Sequence, residues 1–345
     1  MDSRGSRSLL DDPRGQCEQL AQSAGLAIPH ITEARTHTRK AIAELREKLA
    51  REDLPCGVSV CVFGSWAREE LTPGSDDDWA LLVAEPPAIY DKDVVRAMAI
   101  AQQHLESKGR EPGVQGVFGV PFDVYTLEHN VGLDADTNTN LTRRMLLLLE
   151  SVGVSGDVHE RGWEKVLARY MNDGVKPYHI PTFLLNDLIR YWRTICVDFE
   201  GKHRDTPADD PKWVSRNAKL RTSRKLLFAG GLIPILLCEL YDRDEMTPFL
   251  KRWLSAPPLD RIATAFRWAD AESEGARALA AYDRWLAIQL SESDRAELGA
   301  LRRDTRRDSE LFREIDNLGK QFERALLALL FESRLAVLSR QALVF

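Results

Sequence analysis

Three consecutive aspartates, Asp76-Asp77-Asp78, stand directly before an apolar run, Trp79-Ala80-Leu81-Leu82-Val83. After Thr72-Pro73-Gly74-Ser75, an acidic triplet on its own reads as a solvated turn. The apolar run changes that reading, because it predicts a strand from Asp77 to Val83. Side chains on extended backbone alternate between faces, so Asp76 and Asp78 project together and Asp77 projects away. Two carboxylates held side by side repel until a cation neutralises them. Mg²⁺ takes oxygen ligands, commonly one or two carboxylates together with substrate phosphates. Asp76 and Asp78 are therefore candidate ligands for Mg²⁺ or Mn²⁺ and candidate catalytic residues.

Upstream, Gly64-Ser65 follows the alternating apolar run Gly57 to Phe63 and precedes Ala67 to Leu71, which is expected to form a short helix. Glycine lets a phosphate approach the backbone, and the N–H groups of a helix start attract an anion. Gly64 and Ser65 are thus candidate nucleotide-binding residues, with Ser65 also suited to capping. A third carboxylate, Asp123, lies in Pro121-Phe122-Asp123-Val124-Tyr125, where a lone charge among apolar residues needs a partner. Placed beside Asp76 and Asp78, it would complete a three-carboxylate site for two metal ions and could help activate an acceptor hydroxyl.

In these residues the chain resembles the DNA polymerase β-like nucleotidyltransferase superfamily. The shared pattern is a strand ending in Gly-Ser, a short helix, Asp-x-Asp, and an acidic residue on a later strand, over about Val58 to Thr126. The resemblance implies a mixed-sheet core, Asp76, Asp78 and Asp123 as metal ligands, Gly64 and Ser65 on the triphosphate, and an NTP or dNTP substrate. The segment Asn138 to Ser151 looks like that of bacterial proteins described only as nucleotidyltransferase-domain proteins, which names no acceptor.

The densest basic run, Lys212 to Phe228, is expected to be helical, with Asn217, Arg221 and Arg224 or Lys225 on one stripe. Such a stripe, with Arg221, Arg224 and Lys225, would suit the β- and γ-phosphates; the alternative is a solvated basic face. Arg302, Arg303, Arg306 and Arg307 alternate with acids and read as a solvated, self-paired helix. Trp66 and Trp79 adjoin the motif and could stack on a base, although core packing suits Trp79 better.

The elements that must position these residues alternate helix and strand up to about Asn140. They comprise a helix over Ile31–Arg51, strands over Gly57–Phe63 and Asp77–Val83, a helix over Val94–Lys108 and a strand region over Val117–Leu127. Helical periodicity dominates afterwards. The expected class is α+β, with a loosely ordered terminus at 1–25, a nucleotidyltransferase core at 26–135 and an all-helical domain at 136–345. Leu226–Leu240 contains Gly230, Gly231 and Pro234 and is too short to cross a bilayer, so it reads as a buried helical hairpin. The apolar end Leu343-Val344-Phe345 would dock either on its own domain or on a second subunit.

The 345 residues carry a net charge of −6, which disfavours an extended nucleic-acid partner held by charge alone. Five irregularly spaced cysteines suggest neither a disulfide framework nor a zinc site and fit a reducing cytoplasm. Transfer of a nucleoside monophosphate with release of pyrophosphate is the expected reaction. By analogy with bacterial stand-alone members, the acceptor is expected to be another nucleotide, giving an oligonucleotide or second messenger in antiphage defence. Protein, tRNA or a small molecule are the alternative acceptors, and a non-catalytic nucleotide sensor is the alternative class.

Overall fold

The computed structural model describes residues 7–87, 91–106, 117–172, 174–204 and 211–344. The chain divides into two compact units, Ala34–Gly174 and Met1–Glu33 with Val175–Phe345. The elements up to the end of the first unit are helix α1 (Gln16–Ser23), α2 (Pro29–Leu49), β1 (Val58–Phe63), β2 (Trp79–Val83), α3 (Lys92–Leu105), β3 (Pro121–Asp123), α4 (Val124–His129), α5 (Asn138–Leu149), β4 (Ser151–Gly153) and α6 (Val158–Tyr170). The remainder is helical: α7 (Thr182–Arg204), α8 (Pro211–Arg221), α9 (Ser223–Leu237), α10 (Arg243–Leu254), α11 (Pro258–Trp268), α12 (Glu272–Leu290), α13 (Glu292–Ala300), α14 (Glu310–Phe331) and α15 (Ala336–Val344).

The Ala34–Gly174 unit is built on a four-stranded mixed sheet of order β3-β2-β1-β4. Strand β1 is antiparallel to β2, with Val62 opposite Trp79, while β2 is parallel to β3, with Val83 opposite Asp123. The β-branched run of β1 makes it central, since every residue of β1 and β2 is buried. Val58, Val60 and Val62 join Trp79, Leu81 and Val83 on one face, against Leu45 and Leu49 of α2 and Val94, Ala97, Ala101 and Leu105 of α3. On the other face, α6 lies so close that a Cβ on Gly162 would meet Val124 at 2.5 Å and Leu82 at 3.5 Å. The amide of His159 in α6 donates to the Ser59 hydroxyl at 3.1 Å. The mixed α/β core followed by a helical remainder is the expected fold class.

Several expectations are corrected. The compact unit is Ala34–Gly174 where a core at 26–135 was expected; β4 pairs with β1 from Phe63 opposite Ser151 to Cys61 opposite Gly153. A three-residue strand is too short to leave a period in the sequence. Only Pro121–Asp123 of the expected strand region is strand, since Asp123 caps a helix that begins at Val124. The chain before residue 25 is not loose in its described part: Leu10, Cys17 and Leu20 are fully buried. The expected hairpin at Leu226–Leu240 is one helix, α9, closed by a 3₁₀ turn at Cys238–Leu240. Its Gly230 does not turn the chain; a Cβ there would stand 3.2 Å from Pro258, so the glycine permits close crossing with α11. Both basic segments also differ from expectation. The run over Lys212–Phe228 breaks at Thr222, with φ −118° and ψ −91°, and between Arg302 and Ser309 the chain holds only a 3₁₀ turn, Arg306–Asp308.

In the helical unit, α15 packs on α14 and α9, with Leu338 and Ser339 buried. Among the described residues, no helix is long and apolar enough to cross a membrane.

Candidate active site

The Asp76-Asp77-Asp78 segment enters β2 through the ladder itself, because the Phe63 amide donates to the Asp78 carbonyl at 2.8 Å. Alternation then sorts the three carboxylates. Asp77 points into the core, is 3% exposed and accepts from the Trp66 indole N–H at 3.1 Å. Asp78, half-buried, precedes β2 directly, and Asp76 is exposed ahead of it. Trp66 and Trp79 are core residues, at 6% and 0% exposure, and neither stacks on a base from there.

Gly64 completes the pair's surroundings. Its φ is +61°, and a Cβ built on it would lie 2.7 Å from Oδ2 of Asp78. Only glycine tolerates both the left-handed backbone and the carboxylate above it. Asp78 is therefore held against bare backbone at the end of β1. The residues that follow do not form the expected helix. Phe63 accepts from the Trp66 amide, Gly64 from Arg68 at 2.9 Å, and Ser65 from Glu70 at 2.8 Å, which makes a single irregular turn. The dipole of a full helix is thus absent at Gly64-Ser65, and Ser65 is half-buried within the turn.

The turn is fixed by partners that sequence reasoning did not assign. Arg68, 8% exposed, donates to Glu70 at 2.9 Å and to Glu150 at 2.6 Å; these acids are 4% and 2% exposed. Glu150 ends α5 immediately before β4, so the guanidinium ties the turn to the far strand of the sheet. Arg39 of α2 grips Glu69 at 2.8 Å, and Thr38 Oγ1 accepts from the Leu71 amide at 2.9 Å. Thr72 and Ser75 close the next turn on each other, with the Thr72 amide donating to Ser75 Oγ at 3.0 Å. The Arg68-x-Glu70 spacing was visible, but its third member, Glu150, is 82 residues from Arg68 and only the fold supplies it.

Asp123 is not brought to the pair. The parallel register sets it beside Val83, five residues along β2 from Asp78, or about 16 Å of strand. It also takes the position of the opposite face, since Phe122 pairs with Leu82, whose face Asp78 shares. Its carboxylate accepts from the Thr126 amide at 2.6 Å as the cap of α4. The three-carboxylate expectation fails for Asp123 because parallel pairing sends the end of β3 away from the start of β2. The same register continues Asp78 to Phe118, whose ring lies 5.5 Å from that of Phe63.

The basic stripe lies in the other unit. Arg221 pairs with Asp316, and Lys225 pairs with Glu323 at 3.0 Å, both acids belonging to α14. The break at Thr222 puts Arg221 on α8 and Arg224 and Lys225 on α9, so they do not form one continuous helical stripe.

Residues 20–117 match the family described as "Putative nucleotidyltransferase DUF294". Over 107 residues the chain is 34% identical to a bifunctional uridylyltransferase/uridylyl-removing enzyme of Bordetella pertussis, which covers 30% of this chain and 12% of that protein. Enzymes of the same description from Bordetella parapertussis and Bordetella bronchiseptica are 33% identical over the same shares. The chain spans 12% of the length of these curated relatives. The four-stranded mixed sheet followed by a helical remainder is consistent with a nucleotidyltransferase core. These matches support a member of the nucleotidyltransferase superfamily.

Proposed function

We propose that the protein transfers a nucleoside monophosphate from an NTP or dNTP to an acceptor hydroxyl, with Asp76 and Asp78 holding Mg²⁺ or Mn²⁺. The observation that carries the proposal is the placement of Asp78 over the bare backbone of Gly64, with Asp77 anchored inward and Asp76 exposed. Two carboxylates, one of them open to solvent, fit an oxygen-preferring divalent cation that also needs positions for phosphate. When bound, the cation supplies positive charge to the triphosphate and to the departing pyrophosphate.

The chain's own contribution is geometric. Gly64 leaves room at the backbone for the Asp78 carboxylate, and the Arg68 clamp and the Trp66–Asp77 bond hold the turn and the approach to β2 in place. The acceptor oxygen bonds to the α-phosphorus, the α–β anhydride bond breaks, pyrophosphate leaves and the hydroxyl proton passes to solvent. Asp123 has no part in this step. We further propose a nucleotide as acceptor, giving a short oligonucleotide or second messenger of the kind used in antiphage defence. The net charge of −6 disfavours a long nucleic acid. The uridylyl-transferring relatives favour including UTP among the donors tested.

The test is mass analysis of products after incubation with each NTP and dNTP and Mg²⁺ or Mn²⁺, using the native chain and Asp76→Ala/Asp78→Ala. Pyrophosphate with a nucleotide-linked product from the native chain alone is the expected result. Activity only after adding lysate would replace the nucleotide acceptor with a macromolecular one. Turnover retained by the double variant would overturn the assignment of the site.

A further inference from the structure

The helical unit contains a concentration of positive charge that the catalytic reading leaves unused. Arg303 and Arg306 both lie over the ring of Trp213 in α8, with their guanidinium carbons 5.2 and 4.6 Å from its centroid. The two cations are therefore within about 10 Å of each other, which is about one Debye length at 0.1 M salt. Arg306 also approaches the Phe312 ring of α14 at 5.7 Å. Arg307 is its neighbour in the same 3₁₀ turn. On the α14 side, Asp316 accepts from Arg221 and also from Lys320 at 2.6 Å.

Arg221 and Lys320 thus pair with Asp316, Arg306 and Arg307 lie within reach of its charge, and Arg303 stands beside Arg306. Other acids nearby are engaged elsewhere. Glu314 binds Arg284 at 2.6 Å, Glu310 lies 3.9 Å from Arg313, and Glu323 binds Lys225. Asp304 accepts from the Thr305 amide, Glu297 of α13 accepts from Ser309 Oγ at 2.9 Å, and Asp308 is exposed on the same loop. Burial, then the fields of Arg307, Arg303 and Arg221, lower the Arg306 guanidinium pKa, and Asp316 opposes them. Cation–π contact and backbone anchoring hold the cations in place: Arg303 donates to the His203 carbonyl at 3.4 Å, and Arg306 donates to the Arg303 carbonyl.

We infer that this cluster is a binding site for a polyphosphate chain, either that of a nucleoside triphosphate or a free inorganic one. Arginine presents paired N–H donors that match phosphate oxygens. The cations come from three segments, α8, the loop over Arg303–Asp308 and α14, so a chain of phosphates spans them where a single anion would not. Trp213 is covered, at 8% exposure, and offers no face to a base. The site therefore recognises phosphate without reading the base. It requires neither a metal nor any residue of the Asp76 unit, and it stands independently of the proposed transfer.

The test uses the full chain carrying Asp76→Ala/Asp78→Ala, in EDTA, so that binding through the metal pair is removed. Inorganic triphosphate and ATP, in separate arms, should each raise the melting midpoint by roughly 2–4 °C near saturation. Arg307→Gln leaves both stacked arginines in place and should lose at least half of that shift. Arg303→Gln/Arg306→Gln/Arg307→Gln should lose all of it, whereas the triple lysine variant should keep a smaller one. Arg277→Gln, outside the cluster, should keep it in full. A shift in Arg307→Gln equal to the parent's would overturn the proposal. So would no shift with triphosphate, a shift with ATP alone, or one with only a single-stranded oligonucleotide.

Discussion

At the residue scale, the site depends on one glycine and one inward aspartate. Gly64→Ala would place a methyl group 2.7 Å from the Asp78 carboxylate on a backbone of φ +61°. The strain should cost about 1–2 kcal/mol of stability and displace Asp78. In the Asp78→Ala background the displaced carboxylate is gone, so the same substitution should cost less. A double-mutant cycle on melting midpoints reads that coupling, and additivity of the two changes would refute the contact. The Asp76→Ala/Asp78→Ala chain should melt at an unchanged or higher midpoint without metal, because mutual repulsion has been removed. Its response to Mg²⁺ and ATP should shrink by whatever part the metal pair supplies.

At the element scale, the buried Arg68 clamp fixes the turn between β1 and β2. Arg68→Met would leave Glu70 and Glu150 buried without their guanidinium and should destabilise the unit by about 3–5 kcal/mol, measurable in urea. Neutralising both acids as well should recover much of that loss; no recovery would mean that Arg68 matters for packing alone. His159 gives this unit a pH dependence. Ser151 Oγ donates its one proton to the Leu147 carbonyl at 2.6 Å, so His159 Nε2 donates to Ser151 Oγ at 2.8 Å. Burial, partly opposed by Glu160 and reinforced by Arg46, pushes the imidazole pKa down from 6.5 to about 4. The folded state thus favours neutral His159. Its contribution is complete above pH 6.5 and is lost as the pH falls toward 4, at up to about 1.4 kcal/mol per pH unit. His159→Gln should flatten the stability profile in that window, and an unchanged slope would exclude His159 as its source.

At the scale of the whole molecule, the helical unit relies on close helix crossing. Gly230→Leu should force α9 from Pro258 of α11 and lower the melting midpoint by several degrees. Mn²⁺ affinity at the Asp pair, read by electron paramagnetic resonance well below that midpoint, should stay the same. A large loss of affinity would show that the two units are energetically coupled.

Much of the fold was legible because it rests on local patterns. The alternation Val58, Val60, Val62 specified β1, and the apolar run from Trp79 to Val83 specified β2. Glycine before Ser65 marked a backbone position that tolerates no side chain. These features follow from the period of two on a strand and from the absence of a Cβ, both readable within a few residues. What only the tertiary structure decided depends on partners far away in sequence. Parallel pairing of β2 with β3 carried Asp123 away from Asp78, although nothing in Pro121–Tyr125 distinguishes one register from another. Glu150 met Arg68, and Gly230 met Pro258, across 82 and 28 residues of chain. Arg303 and Arg306 looked like one face of a solvated helix, yet the chain breaks its helical run there and lays both on Trp213. Local periodicity carries burial, whereas register, helix crossing and the meeting of charges are set by the packing of the whole chain.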